Sequence, residues 1–296
     1  MCQLVGISRS AYYAWLVRLN RPPSKHYLKD QAILRAMIGL HNKYPVLGLD
    51  SLYQMLKRDF TASGQTPPSR NRIHRLKKQA KIYSRRHKAY KVTTNSKHNN
   101  PIAPNLLGKD ADGKRFKATY ANQAWTSDIT YIPTGEGWLY CVIIKDLFTK
   151  KVVGYATSNR INTQLVIDAL NMAIFRQSQI YGAYCLKGLI FHSDRGVQYT
   201  ATTFVILLEA HGFVQSMSRK GNPYDNAVAE NFFSCLKCEC VHLNHFATRN
   251  AAKLAIFSYI ETFYNRVRPH SGIGWVAPMT FERMLTDDVL GVKMVA

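Results

Sequence analysis

The chain has 296 residues, 46% of them hydrophobic, enough for one large or two modest domains with a real core and unlike a disordered polymer. Its 40 Lys and Arg against 18 Asp and Glu leave a net charge of +22, and the excess is uneven: residues 1–120 hold 24 basic and 5 acidic side chains, residues 121–296 hold 16 and 13. That asymmetry points to a polyanion, nucleic acid ahead of an anionic membrane because no segment reads as an amphipathic anchor, and the sequence shows neither a transmembrane-length apolar run nor a secretion signal. The six cysteines do not form a disulfide framework in a chain this long, so a reducing, cytoplasmic setting is expected.

In chain order, residues 4–15 read as a Gly turn at Gly6 followed by a helix opened by Ser8, like the second half of a helix-turn-helix. The first half would come from another polypeptide or an upstream reading frame. Three apolar stripes at helical spacing follow: Ile33, Ala36, Met37 and Leu40; Leu49, Leu52, Tyr53 and Leu56; Ile73, Leu76 and Ala80. Three short one-faced helices can close one small bundle. Pro67 and Pro68 precede the third, Ser69 is its expected N-cap, and Arg70, Arg72, Arg75, Lys77, Lys78 and Lys81 lie away from its stripe. A solvated face would explain such a run, but no Glu occurs before residue 121, so contact with DNA phosphates is the stronger expectation. Residues 84–123, rich in Lys, Arg, Asn and Gly, read as a basic linker.

From Trp125 the period becomes that of strands. Ala124–Pro133, Trp138–Leu147 and Lys151–Ser158 are separated by turns of hairpin length and predict an antiparallel meander. A helix from Thr163 follows, with Val166, Ala169, Leu170, Ala173 and Ile174 on one face. Then come a strand at Gly188–His192, a helix at Thr202–His211 and a strand at Phe213–Met217. Three antiparallel strands and then alternating helix and strand is the element order of an α/β ribonuclease-H-like core with a mixed five-stranded sheet.

Such a fold could gather Asp128 in the first strand, Asp194 after the fourth, and Glu230 on a helix opened by Asn222 and Pro223. Carboxylates at strand ends suit hard cations, Mg²⁺ or Mn²⁺, and two ions about 3.5–4 Å apart serve phosphodiester chemistry. Asn226 and Lys237 share the helix face of Glu230, where a lysine can touch a bound phosphate. Asp146 also ends a strand and rivals Asp128 as the first ligand, but an Asp at a strand end is more often a turn or cap residue, and Asp146 and Asp225 are read as structural.

Trp125-Thr-Ser-Asp128-Ile-Thr-Tyr131, Phe191-His-Ser-Asp194-Arg-Gly-Val-Gln-Tyr199 and Ser216–Ala227 running into Glu230-Asn-Phe-Phe-Ser-Cys-Leu-Lys237 resemble the catalytic blocks of insertion-sequence transposases. The resemblance is to the second-frame proteins of the insertion sequence three family, whose core is similar to retroviral integrase, and it covers nearly the whole chain. That family carries a D,D,E triad with thirty-five residues between the second Asp and the Glu, which is the spacing from Asp194 to Glu230, and a basic residue at the position of Lys237. Tyr264–Trp275 resembles the family's C-terminal signature. The resemblance implies Mg²⁺-dependent DNA cleavage and strand transfer at element ends, with Asp128 preferred to Asp146. It also implies a homo-oligomer on DNA and an upstream-frame helix-turn-helix partner or fusion. A nuclease that cuts without joining and a non-catalytic DNA-binding regulator are the rival readings. Lys145 departs from the family's apolar strand residue and would need its ammonium to reach solvent.

Other constellations are weaker. Cys235, Cys238, Cys240, His242 and His245 suggest a zinc knuckle, but the cysteines lie along a helix and point different ways. His192 shares a strand side with Asp194 and is as readily structural as functional. Ile256, Tyr259, Ile260 and Phe263 read as a core stripe, and Arg266 and Arg268 follow as candidate phosphate contacts. The expected organisation is a partial helix-turn-helix at 1–28, a basic three-helix domain at 29–83, a linker at 84–123, a catalytic core at 124–265 and a basic C-terminal loop and tail at 266–296.

Overall fold

The computed structural model describes residues 6–20, 24–84, 101–108, 116–218 and 227–289, and the chain divides into two units, Met1–Ser84 and Arg85–Ala296. In the first, α1 (Arg9–Asn20) is capped by Ser8, whose Oγ accepts the Ala11 N–H at 3.2 Å, and Gly6 supplies the left-handed turn before it. Tyr13, Trp15 and Val17 of α1 are exposed. The helices α2 (Lys25–Lys43), α3 (Leu49–Ala62) and α4 (Arg70–Gln79) enclose Ile33, Met37, Leu52, Leu56, Ile73, Leu76 and Ile82. Each such side chain taken fully from water contributes about 1.5–3 kcal/mol. Ser24 and Ser69 cap α2 and α4 by accepting the N–H groups of Tyr27 and Arg72. The start of α2 at Lys25 falls inside the segment expected to be a partial helix-turn-helix.

The cationic face of α4 is less bare than its sequence suggests. Asp30 of α2 accepts from Arg72 Nε at 2.7 Å and from an Arg75 terminal nitrogen at 2.9 Å, and Arg70 Nε donates to Asp50 at 2.6 Å. Packing of α2 against α4 brings a buried carboxylate under the arginines, so Arg72 and Arg75, away from the apolar stripe, also tie the bundle together. Lys78 and Lys81 are exposed.

In the second unit the sheet order is β3-β2-β1-β4-β5, with β1 (Ala124–Thr134), β2 (Gly137–Asp146) and β3 (Val152–Ser158) antiparallel and β4 (Ile190–Ser193) and β5 (Val214–Met217) parallel to β1 and β4 respectively. This is the ribonuclease-H-like arrangement. The strand β2, between β3 and β1, alternates its side chains between the two faces of the sheet, and both faces are covered. Val142 and Ile144 pack with Leu165, Val166, Ala169 and Leu170 of α5 (Thr163–Tyr181) and with Phe204 of α6 (Thr202–Ala210). Cys141 and Ile143 face Phe232, Phe233 and Leu236 of α7 (Ala227–Glu239) and Ile256 of α8 (Arg249–Ser258), which runs into the π-helical stretch Tyr259–Tyr264. Gly154 lets β3 lie directly against α5, where a Cβ would run into the Ala169 carbonyl.

Two boundary expectations are corrected. Residues 101–108 lie in the stretch expected to be a linker, yet Met217 N–H donates to Pro104 O at 3.3 Å and Leu106 N–H donates to Ser216 Oγ at 2.9 Å, so the segment is docked along β5. The C-terminal stretch is not a loop and tail alone: α9 (Pro278–Val289) is anchored by an ion pair between buried Lys151 and Glu282. No helix among the described residues is long and apolar enough to cross a membrane.

Candidate active site

The sheet register positions the site. Parallel pairing joins Ala124 to Ile190, Trp125 to Phe191 and Thr126 to His192, and the same register carried two residues further sets Asp128 opposite Asp194. The charge of Asp194 raises the Asp128 pKa, so the two carboxylates lie close together. β4 ends at Ser193, so Asp194 lies just past the end of the ladder. Its Oδ1 accepts the Gly196 N–H at 2.9 Å, and a Cβ at Gly196 would press to 3.0 Å from that oxygen. Asp128 Oδ1 accepts the Ile129 N–H at 2.8 Å.

Beneath the pair, Tyr199 and Ser127 share a hydrogen bond of 2.8 Å in a buried layer that joins β1 to the loop after β4. Burial, with the nearby Asp194 and Asp128 charges adding, holds the Tyr199 hydroxyl well above its ordinary pKa, so it stays protonated. Its position was visible only as the last residue of the Asp194 block, where nothing local revealed the bond to Ser127.

Desolvation and then the Asp194 charge push the Asp128 carboxyl up to about 8; Glu230 adds to the rise, while the Ile129 N–H and Lys237 oppose it. Glu230 lies exposed in the first turn of α7, and partial desolvation holds it above the usual carboxylate range. Lys237, two turns on, has Nζ 5.3 Å from the centroid of the Tyr131 ring, which meets Trp138 edge-on. Burial lowers the Lys237 pKa against the pull of Asp128. The two aspartates are thus adjacent, with Glu230 and Lys237 close enough for their charges to act on Asp128. Among the described residues no three His, Cys, Asp or Glu side chains close around a single ion position.

Asp146 is occupied structurally, since it accepts from the N–H groups of Asn122, Phe148 and Thr149 and from the Thr149 hydroxyl. His192 is fully buried and its Nδ1 shares a 2.8 Å hydrogen bond with Ser216. Arg266 is exposed. Arg268 corrects its expectation as a phosphate contact: its side chain turns inward and makes two 2.9 Å hydrogen bonds to Glu239 and a 3.2 Å contact to Cys235 Sγ. Glu239 raises the pKa of that guanidinium although burial works against it. No zinc site appears among the described residues, and Cys240 Sγ instead donates to the Ala255 carbonyl. Asn226, Asp225, Asn222 and Pro223 lie outside the described residues.

A mixed sheet of this order with an aspartate pair at the junction of β1 and β4 defines an enzyme of the ribonuclease-H-like, integrase-core class. Two family models, each described as an integrase core domain, match residues 118–223 and 230–285. The chain is 39% identical over 282 residues to an uncharacterised 31 kDa protein of insertion element IS600 from Shigella sonnei, covering 95% of this chain and 97% of that one. It is 34% identical over 285 residues to the transposase InsF of insertion sequence IS3A from Escherichia coli, covering 95% and 92%. Among solved structures, an intasome of simian T-cell lymphotropic virus in complex with a PP2A regulatory subunit aligns with 15% identity and a TM-score of 0.46 over 83% of this chain and 74% of that one. The HTLV-2 integrase catalytic core in complex with magnesium aligns with 16% identity and a TM-score of 0.37 over 55% and 97%. The chain belongs to the IS3 family of transposases, and it is a DDE transposase/integrase-type enzyme of DNA transposition.

Proposed function

We propose that the chain cleaves DNA at insertion-sequence ends and joins the freed end to a second strand, with Asp128, Asp194 and Glu230 as the reacting carboxylates. The observation that carries this is the alignment of Asp128 with Asp194 across β1 and β4, with Glu230 and Lys237 of α7 acting on the same carboxyl. The donor set fits a hard divalent cation: its groups are carboxylate oxygens, and burial, with the Asp194 charge adding, holds a proton on Asp128 that a cation would replace. Mg²⁺ or Mn²⁺ bound there, two ions in this reading, would activate the attacking oxygen and stabilise charge on the leaving one.

The chain's own residues supply the rest. Asp128 and Asp194 are fixed by the Ile129 and Gly196 N–H groups and by the Tyr199–Ser127 layer below, so their oxygens are preorganised. Lys237 offers a cation to a phosphate lying over the pair, and Asn226 would share its face. Water attacks one phosphodiester and releases a 3′-OH, and that hydroxyl attacks a second phosphodiester in the same site. Lys78 and Lys81, with Arg70 at the exposed end of α4, supply phosphate contacts in the N-terminal unit, and Arg266 does so in the catalytic unit. The ends bound by two or more copies of the chain, and an upstream-frame helix-turn-helix completing the segment before α1, belong to the same reading.

A strand-transfer assay on DNA carrying the element's ends tests it. Joined product that depends on Mg²⁺ supports the reading, and hydrolysis without joined product favours a nuclease.

A further inference from the structure

The far half of the β1–β2 hairpin carries an exposed aromatic pair that the chemistry above does not use. Past the aspartates, β1 runs on paired with β2 as far as Thr134 and Gly137. Tyr131 lies three residues beyond Asp128, about 10 Å along the strand. The register sets Tyr140 opposite Tyr131 and Trp138 opposite Pro133, so Trp138 is the diagonal neighbour of Tyr131 on the same face. Their rings meet at 4.9 Å with an interplanar angle of 87°. Trp138 is 48% exposed, and an edge-to-face contact leaves at least one face of its indole uncovered by Tyr131.

Other groups anchor the hairpin tip. The Gly135 N–H donates to Phe246 O at 2.8 Å, and a Cβ on Gly135 would collide with the Ala247 carbonyl. The Glu136 carboxylate accepts the Arg249 N–H at 2.8 Å, and Arg249 Nε donates to Trp138 O at 3.1 Å. The backbone under Trp138 is thus fixed from α8 while its ring stays open to solvent, so the surface is formed before any ligand arrives. Two cations adjoin the pair: Lys237, with Nζ 5.3 Å from the centroid of the Tyr131 ring, and Arg249, held at the Trp138 carbonyl. Lys237 also acts on Asp128, which joins this surface to the aspartate pair.

An open aromatic face bordered by cations fits a nucleotide, because every base has a π-face and the cations meet its phosphates. Within a duplex those faces are covered by neighbouring bases, so the ligand is a base that has left the stack. We propose that Trp138 and Tyr131 form a stacking platform for an unpaired nucleobase adjoining the phosphate held at Lys237. The proposal rests on the reading of Lys237 as the phosphate contact over the aspartates and adds a contact to the base. Stacking fixes the reacting strand by its base while the carboxylates act on its phosphate, so Trp138 positions the strand and takes no part in proton transfer. Since stacking reads no base edge, the platform accepts any base and fails only where the base is missing.

The test measures binding of the full chain by fluorescence anisotropy, in EDTA so that binding is read without cleavage, to duplexes carrying the element's ends with and without a short unpaired tail. The unaltered protein should bind the tailed duplex about ten-fold more tightly than the blunt one. A tail of abasic sugars, which keeps the phosphates and removes the bases, should lose that preference. Trp138→Ala should reduce it at least three-fold and Trp138→Phe should keep most of it, with binding to the blunt duplex changed by less than about two-fold in both. Absence of the preference in the unaltered protein, its full retention in folded Trp138→Ala, or an equal preference for the abasic tail would overturn the proposal. A chain that shows the base-dependent preference yet gives no product in Mg²⁺ would contradict the cleavage reading and leave the platform standing.

Discussion

Asp128 and Asp194 face one another across β1 and β4 because the register fixed upstream by Trp125–Phe191 and Thr126–His192 continues past the end of the ladder. Each member of those preceding pairs is fully or almost fully buried, so the placement of the carboxylates is set by core packing beneath them. The same packing buries Asp128 beside a like charge, and that burial, with the Asp194 charge adding, has a thermodynamic signature.

Asp128 is raised to about 8 in the folded, metal-free protein, above an ordinary unfolded value near 3.9. Between those limits the folded state binds the extra proton, so stability falls as pH rises from about 4 to about 8. Asp128→Asn removes that dependence. In EDTA its melting temperature should exceed that of the unaltered protein at pH 8 and match it at pH 4, as scanning calorimetry would show; a slope against pH that survives the substitution would assign it to other groups.

The Arg268–Glu239 pair is closed from solvent, with side chains 15% and 2% exposed, and Tyr259 adds a 2.9 Å hydrogen bond to Glu239. Removing one partner of such a pair leaves the other buried and uncompensated, a cost of about 3–5 kcal/mol. Glu239→Ala should therefore shift the urea midpoint strongly, whereas Arg266→Ala, at an exposed position, should leave it nearly unchanged. Equal midpoints for the two variants would mean that Arg268 is not held as described.

In the N-terminal unit, the salt dependence of DNA binding separates outward lysines from tethered arginines. Lys78→Ala with Lys81→Ala should flatten the plot of log K against log salt by about 2 if each lysine contacts one phosphate. Arg72→Ala should act chiefly on stability, since its side chain is 22% exposed and holds Asp30. An unchanged slope in the double lysine variant, measured by fluorescence anisotropy, would place the DNA on another face.

Much of this was legible in the chain because the determinants are local. The alternation of Val142 and Ile144 with Cys141 and Ile143 announces a strand buried on both sides, Ser69 after two prolines announces the start of α4, and the helical spacing of Ile256, Tyr259 and Ile260 announces their shared burial. The carboxylates were legible through spacing and the residues around them, and the register then brought the aspartates together. What sequence did not reveal are the choices of distant partner: Asp30 for Arg72, Glu239 for Arg268, Ser127 for Tyr199, Ser216 for Leu106. Periodicity identifies which face of an element is buried and carries no information about which polar group will meet it there. Lys145 shows the same limit, since its strand position called for an ammonium reaching solvent and did not reveal that the side chain packs, almost wholly buried, beside Tyr264.

The most direct test of the central claim is Glu230→Gln, which keeps the shape of the α7 side chain and removes its charge. Cleavage and strand transfer on DNA carrying the element's ends should fall below detection in Mg²⁺, while DNA affinity at fixed salt stays within about two-fold, since Glu230 lies outside the basic contacts. Cleavage that persists in Glu230→Gln at a rate close to that of the unaltered protein would contradict the account.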